Sequence, residues 1–304
     1  MLKYGIKRIF SAILAVIILI TATFFLMHMV PGSPFLSERM TDKVKANLEK
    51  KYGLDKPLGT QYLMYVDNLL QGDMGTSLQK KGRTVTGIIE EKFPYSAKLG
   101  LFAIALAVVV GIPLGALAAI KHEKLIDRLV MLFTTIFISV PGFVFGTLLL
   151  VLFCAVWKIA PATWTDAPAN YVLPVISLSF YPICYITKLT RSSMLETLGQ
   201  DYIKTAHAKG LSSFVVHFKH ALKNSAIPVI SYIGPLTAFL ITGTFAVEKL
   251  FSVPGLGRFF VDSVSNRDYP VIMGTTIFLG CIMVLMNLIV DFVYGMVDPR
   301  IKLR

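Results

Sequence analysis

The chain has 304 residues, of which 55% are hydrophobic and 16% charged, with a mean hydropathy of +0.66 and a formal net charge of +12. Soluble domains carry about 25% charged residues; here the deficit is concentrated in apolar blocks too long for a buried core helix. A soluble single-core enzyme, a disordered chain and a fibrous protein are thereby excluded. Cys154, Cys184 and Cys281 all fall inside apolar blocks, which gives neither a disulfide framework nor zinc-type spacing and makes them small packing residues.

A bilayer core about 30 Å thick takes about 20 apolar residues of helix. Six blocks reach that length, at 9–30, 99–120, 129–157, 171–187, 227–247 and 271–294. The first follows Lys3, Lys7 and Arg8 but exceeds the h-region of a signal peptide, and no small-x-small site follows it, so it is expected to be an uncleaved span. His28 near its end reads as interfacial.

The connection 31–94 contains Tyr62, Leu63, Val66, Leu69 and Leu70 at helical spacing, with Pro57 before and Gly72 after; this predicts an amphipathic helix. Its simpler role is a cap over helix ends, its functional one a lid or docking surface. The third block holds no charge from Leu129 to Trp157 and has Pro141-Gly142 in its middle. One kinked crossing is expected, because neither half spans alone and proline bends a helix. The fourth block is the weakest, short and interrupted by Pro174 and Pro182.

In the connection 188–226, good helix formers from Tyr202 to Lys209 stop at Gly210, and Ser212 or Ser213 caps a second helix from about Phe214. This helix–glycine–helix unit, with small Thr205, Ala206 and Ala208, fits either another protein's groove or the membrane surface. Beyond the fifth block, Glu248 and the Pro254-Gly255 turn either shape the mouth of a path or order a loop. Asp291, one turn after Asn287 in the sixth block, is expected to form a structural ion pair with a basic residue at the same membrane face.

With the N-terminus inside, the cytoplasmic segments carry Lys3, Lys7, Arg8, Lys121, Lys124, Arg128, Lys188, Arg191, Lys204, Lys209, Lys219, Lys223, Arg300, Lys302 and Arg304, for a local net charge of +10. The short outer segments 158–170 and 248–268 carry only four cations. The positive-inside rule then places both termini in the cytoplasm and makes Arg191 and Lys188 anchors. The basic balance is an orientation signal, and nucleic acid is not an expected partner. His207, His217 and His220 share the inner connection without the spacing of a defined ligand set, so no metal is expected. There is no Gly-x-x-x-x-Gly-Lys-[Ser/Thr], His-Glu-x-x-His or Gly-x-Ser-x-Gly motif, so the chain is not expected to hydrolyse ATP or act as a membrane hydrolase.

The run Tyr202-Ile-Lys-Thr-Ala-His-Ala-Lys-Gly-Leu211, followed by His220-Ala-Leu-Lys-Asn-Ser-Ala-Ile-Pro228, resembles the cytoplasmic coupling loop of binding-protein-dependent ABC import permeases. Within that family the chain looks like the oligopeptide/dipeptide permease subfamily, most nearly the first membrane subunit of an oligopeptide importer. The same subfamily is matched by Pro31-Gly-Ser-Pro34, Tyr52-Gly-Leu-Asp-Lys-Pro57, Gly72-Asp-Met-Gly-Thr-Ser77, Thr190-Arg-Ser-Ser-Met194, Val247-Glu-Lys-Leu-Phe-Ser-Val-Pro-Gly-Leu-Gly257, Arg267-Asp-Tyr-Pro270 and Val297-Asp-Pro-Arg-Ile301. Two departures, Lys204-Thr205-Ala206 in place of Glu-Ala-Ala and a more distant Pro228, are usual in the peptide subfamily and bear on which ATPase docks.

The resemblance implies an all-α membrane protein with six transmembrane helices and the type I ABC importer permease fold. It implies an N-terminal unit, 1–95, of one span and an extracytoplasmic lid, and a permease domain, 96–304, containing the coupling loop. It further implies ATPase contact through Thr205, Ala206, Ala208, Lys209, Gly210 and Leu211. The implied partners are a second permease chain, two ATPase subunits that hold ATP and Mg, and an extracytoplasmic peptide-binding protein, in the cytoplasmic membrane of a prokaryote; this chain itself binds no cofactor. The alternatives are a same-fold permease for dipeptides, nickel or glutathione, and an ion-coupled transporter or channel. The latter is disfavoured because Asp291 is almost the only ionisable residue within the spans.

Overall fold

A computed structural model describes residues 2–29, 53, 55–80, 82–161 and 163–297. The elements among them are helices, with one isolated antiparallel bridge between Thr76 and Thr84. In chain order they are α1 (Leu2–Met29), α2 (Leu58–Leu70), α3 (Val85–Ile120), α4 (Leu125–Ile138), α5 (Gly142–Leu150), α6 (Ala169–Leu198), α7 (Asp201–Ala208), α8 (Ser213–Ile241), α9 (Phe245–Leu250), α10 (Leu256–Ser265) and α11 (Tyr269–Val297). The motif Pro31–Pro34, Tyr52 and Leu54 of the motif Tyr52–Pro57, the basic residues Lys3, Arg300, Lys302 and Arg304 and the motif Val297–Ile301 lie outside the residues whose side chains are described.

Five helices, α1, α3, α6, α8 and α11, are long and apolar enough to cross a membrane, and α4 with α5 makes a broken sixth, bent by 97°. Whether that pair crosses or turns back follows from its ends. At its start, Asp127 pairs with Arg191 near the C-terminal end of α6. Beyond its end, Trp164 stacks edge-on with Tyr95 and Tyr171, near the N-terminal ends of α3 and α6. The pair therefore links opposite faces of the bundle and counts as one crossing, as expected. The bend sits at Val140-Pro141, since helical torsions are disfavoured in the residue before a proline, and Pro141 then caps α5 with ψ 135°.

Six crossings put the two ends of the chain on one face. Arg8 bonds Asp291 at 2.7 Å, and Leu19 packs beside Gly280, so α1 and α11 run antiparallel. That face, called the terminal face below, also carries residues 120–128 and 188–222; the far face carries 57–95, 158–168 and 242–268. The expected ion pair of Asp291 is present, with Arg8 as its partner.

Two expectations about α6 are corrected. It is a 30-residue helix rather than a short marginal span, and 56% of its most apolar window is buried, against 11% for α1. Its weak hydropathy reflects where it sits. Ser177, Ser179, Thr187 and Thr190 are buried among α3, α5 and α8 instead of facing lipid, and a helix enclosed by protein need not be apolar all round. α6 also continues to Leu198, so Thr190–Met194 is helical and the inner connection is shorter than the sequence suggested. α3 runs parallel to α6 at a separation only glycine permits: a Cβ on Gly115 would lie 2.5 Å from the Thr187 carbonyl oxygen.

The helix expected over Gln61–Leu70 is present as α2, ended by a tight turn with Gly72 at φ +81°. It lies on α1, where Tyr62 Oη bonds Thr21 at 2.8 Å and His28 Nε2 bonds Gln61 at 3.0 Å. His28 is thus a contact between the first span and its cap.

Candidate functional site

On the terminal face the chain leaves α6 at Gly199 and enters α7, whose first-turn Asp201 faces the positive end of the helix dipole. α7 ends in a Schellman motif. Gly210 has φ +76°, its N–H donates to the His207 carbonyl at 2.9 Å, and the Leu211 N–H reaches back to Ala206 at 3.3 Å. Ser212 Oγ then accepts from the Val215 N–H at 3.5 Å and starts α8. The expected helix–glycine–serine arrangement is observed, but its second helix does not stop before the fifth span. It runs through a π-helical stretch, Val216–Leu222, into the span itself. The tight turn after α7 is thus followed by one continuous helix from Ser213 to Ile241.

The six residues singled out in this loop divide by direction. Ala206, with Ile203, is buried among Ala116, Ala119, Met194, Val216 and Ala221 at the ends of α3, α6 and α8. Thr205, Ala208, Lys209, Gly210 and Leu211 are exposed, and a Cβ on Gly210 would meet nothing within 4 Å. Sequence reasoning missed Tyr202, Phe214 and Phe218, which like Leu211 are exposed within the segment 202–218; the Phe214 and Phe218 rings lie 4.7 Å apart. Four large apolar side chains beside a polar turn mark a surface for another protein. The signal was in the sequence, since Phe214 and Phe218 are one helical turn apart.

Arg191, read as a positive-inside anchor, also makes a buried ion pair. Its guanidinium grips Asp127 in a fork, Nε to Oδ1 at 2.5 Å and Nη2 to Oδ2 at 2.8 Å. Asp127 is 3% exposed and also accepts from the Glu123 N–H at 3.0 Å. The pair ties α4 to α6 on the terminal face. No group of three or more His, Cys, Asp or Glu positioned to hold a metal occurs among the described residues.

On the far face two cavities adjoin. A cleft of about 950 Å³ lies between α3 and α6. Glu91, Lys98 and Asp166 mark its rim, and Phe102, Leu106, Val175 and Ile176 its deeper wall. The α3 residues among these recur at helical spacing and form a stripe along the cleft. Beside it is a cavity of about 580 Å³ walled by α10, single residues of α3 and α9 and the turns around them, held by two buried carboxylates. Glu248, fully buried, accepts from Ser96 Oγ and from the Arg258 N–H, both at 2.8 Å. Burial pushes its carboxyl above the usual glutamate range, and these two donors pull partly against that shift. Asp268 accepts from the Ser77 hydroxyl and from the Leu78 N–H at 3.0 Å. Of the two readings open for Glu248, the structure supports ordering of the loop.

The whole chain has known counterparts. Residues 111–303 match the family model described as binding-protein-dependent transport system inner membrane component, and residues 1–100 match its N-terminal companion. The chain is 46% identical to the dipeptide transport system permease protein DppB of Bacillus subtilis, over 100% of this chain and 99% of that protein. It is 42% identical to the oligopeptide transport system permease protein OppB of Haemophilus influenzae, over 99% of this chain and 100% of the relative. The OppB of Escherichia coli K12 is 39% identical over the same shares.

Proposed function

The chain belongs to the binding-protein-dependent transport system inner membrane component family, and on that premise we propose that it forms part of the membrane pathway of an ATP-driven peptide importer. It is an inner-membrane, multi-pass permease subunit. The terminal face is assigned to the cytoplasm from its net positive charge. Two separate ATPase subunits hold ATP and Mg, a second related permease chain completes the path, and an extracytoplasmic binding protein delivers the peptide. The division at 95/96 is kept as a functional one, an N-terminal cap unit and a permease domain, although α3 runs unbroken through it.

The observation that carries this reading is the α7 stub: one face is buried against three spans, the other is exposed, and the tight Gly210–Ser212 turn joins it to α8, which runs unbroken into the fifth span. Thr205, Ala208, Lys209, Gly210 and Leu211 take the ATPase groove, while Ala206 faces the spans and passes the motion inward. Peptide enters at the cleft by the far-face ends of α3 and α6, where Asp166 matches a free amino group and Lys98 a free carboxylate, and the path continues against the second permease chain.

The test replaces Gly210. Its φ of +76° strains any β-branched residue, by about 1–2 kcal/mol or more, whereas asparagine tolerates that region. Gly210→Val should abolish peptide uptake and peptide-stimulated ATPase activity with normal membrane insertion, and Gly210→Asn should retain most of both. Full activity of an inserted Gly210→Val protein would overturn the coupling assignment. Dipeptide import is an equal second reading for cargo, because a dipeptide permease is among the relatives. Competition between dipeptides and tri- to pentapeptides separates the two, and competition by nickel or glutathione would point to a different cargo on the same scaffold.

A further inference from the structure

Five cations, Lys80, Arg83, Lys92, Lys249 and Arg258, line the 580 Å³ far-face cavity with Asp262 and Asp268; Arg83 and Lys92 share Glu91 at its edge and Asp262 lies 3.9 Å from Arg258, so five cations face three acids and leave a surplus of two positive charges. One of the acids is already engaged, because Asp268 is occupied by Ser77 and Leu78. Among the described residues neither Lys80 nor Lys249 has a carboxylate partner; the Lys80 ammonium lies instead over the Phe259 ring, 4.1 Å from its centroid.

Clustered like charges repel, and a loop that was free to relax would spread them. These loops are not free. Lys80 N–H donates to Ser77 Oγ at 2.8 Å, Gln79 Nε2 donates to the Asn266 carbonyl at 2.9 Å, and Arg258 N–H is held by buried Glu248. The cations are therefore held in a preorganised cradle that is complementary to a multiply charged anion.

We propose that this cradle seats an acidic surface segment of the extracytoplasmic binding protein, an inference that rests on the importer reading above. Charge complementarity names the chemistry, and the position of the cradle names the partner. Glu91, on the rim of the peptide cleft, pairs with Lys92 and Arg83 on the wall of the cradle. An occupant of the cradle thus stands beside the mouth of the path, where a delivering protein must release its cargo. The walls are mostly turns and the short helices α9 and α10, beyond the ends of α6 and α8, and they offer a rounded, solvent-facing pocket to a protruding loop.

The test uses the complete transporter in nanodiscs of zwitterionic lipid, with ATPase activity measured as binding protein is titrated in. The charge-reversed pair Lys80→Glu/Lys249→Glu should raise the half-saturating concentration of binding protein by about 10-fold, with the maximal rate unchanged. Raising the salt should weaken docking of the wild type more than that of the variant. The neutral pair Lys80→Gln/Lys249→Gln should fall between them, and serves as the readout if the reversed pair does not assemble. Equal half-saturation in wild type and variants overturns the proposal. So does a difference that appears only when anionic lipid or inorganic phosphate is added, since the cradle would then hold a phosphate group. If the wild type itself shows no stimulation by any binding protein, the importer reading fails instead.

Discussion

Replacement of Glu248 probes the structure where its charge and its packing can be separated. The side chain is fully buried and carries two hydrogen bonds that link α9 to distant segments, Ser96 in α3 and the backbone of Arg258 in α10. Glu248→Ala leaves two buried donors without an acceptor, at about 1–3 kcal/mol each, and opens a cavity, for a total of about 4–6 kcal/mol. At roughly 2–4 °C per kcal/mol for chains of comparable size, the apparent melting midpoint in detergent should fall by about 10 °C or more. Glu248→Gln keeps an oxygen for the Arg258 N–H and turns its amide toward Ser96 Oγ, so its cost should stay below about 1 kcal/mol.

The same residue gives a pH signature. Burial raises the carboxyl above its unfolded value. The stability it contributes is therefore fully present below the ordinary glutamate range and is lost as pH rises through the raised value. Acidification from neutral pH toward that range should raise the midpoint of the wild type relative to Glu248→Gln. The measurement is a set of thermal melts of the three proteins across that window. An alanine variant that melts with the wild type, or a glutamine variant as damaged as alanine, would refute the account of Glu248 as a hydrogen-bond clamp.

Arg191→Ala should remove the main partner of the buried Asp127 carboxylate, leaving it the Glu123 N–H and His122, and cost about 2–3 kcal/mol, while Asp127→Asn/Arg191→Ala should recover part of that loss in the same melts, as expected for a coupled buried pair. Gly100→Val should block assembly of α3 against α8, because a Cβ there would lie 2.3 Å from the Leu240 carbonyl oxygen, a backbone atom with no room to retreat; folded yield after detergent extraction reports it. Gly142→Ala, with nothing within 4 Å of the new methyl group, is the control and should express normally. Lys98→Ala should reduce uptake of peptides with a free carboxylate more than of their C-terminal amides, measured with cargo already loaded on the binding protein.

Local pattern in the amino-acid order was sufficient for most of the secondary structure. Apolar blocks of bilayer length identified five spans outright, and Pro141 marked the break in the other, because hydropathy and proline torsion act over a few residues. Gly210 and Ser212 were legible as stop and cap for the same reason, and Asp291 was expected to pair at its own membrane face, as it does with Arg8. Tertiary structure decided what depends on neighbours remote in sequence. α6 looked weakest because its polar face meets protein rather than lipid, a fact its own residues do not encode. Arg191 finds Asp127 across 64 positions and Glu248 finds Ser96 across 152; no periodicity selects such partners, since only the folded bundle brings α4 to α6 and α9 to α3. The cleft and the basic cradle are likewise spaces between segments, and a space between segments is specified only when those segments have taken their places.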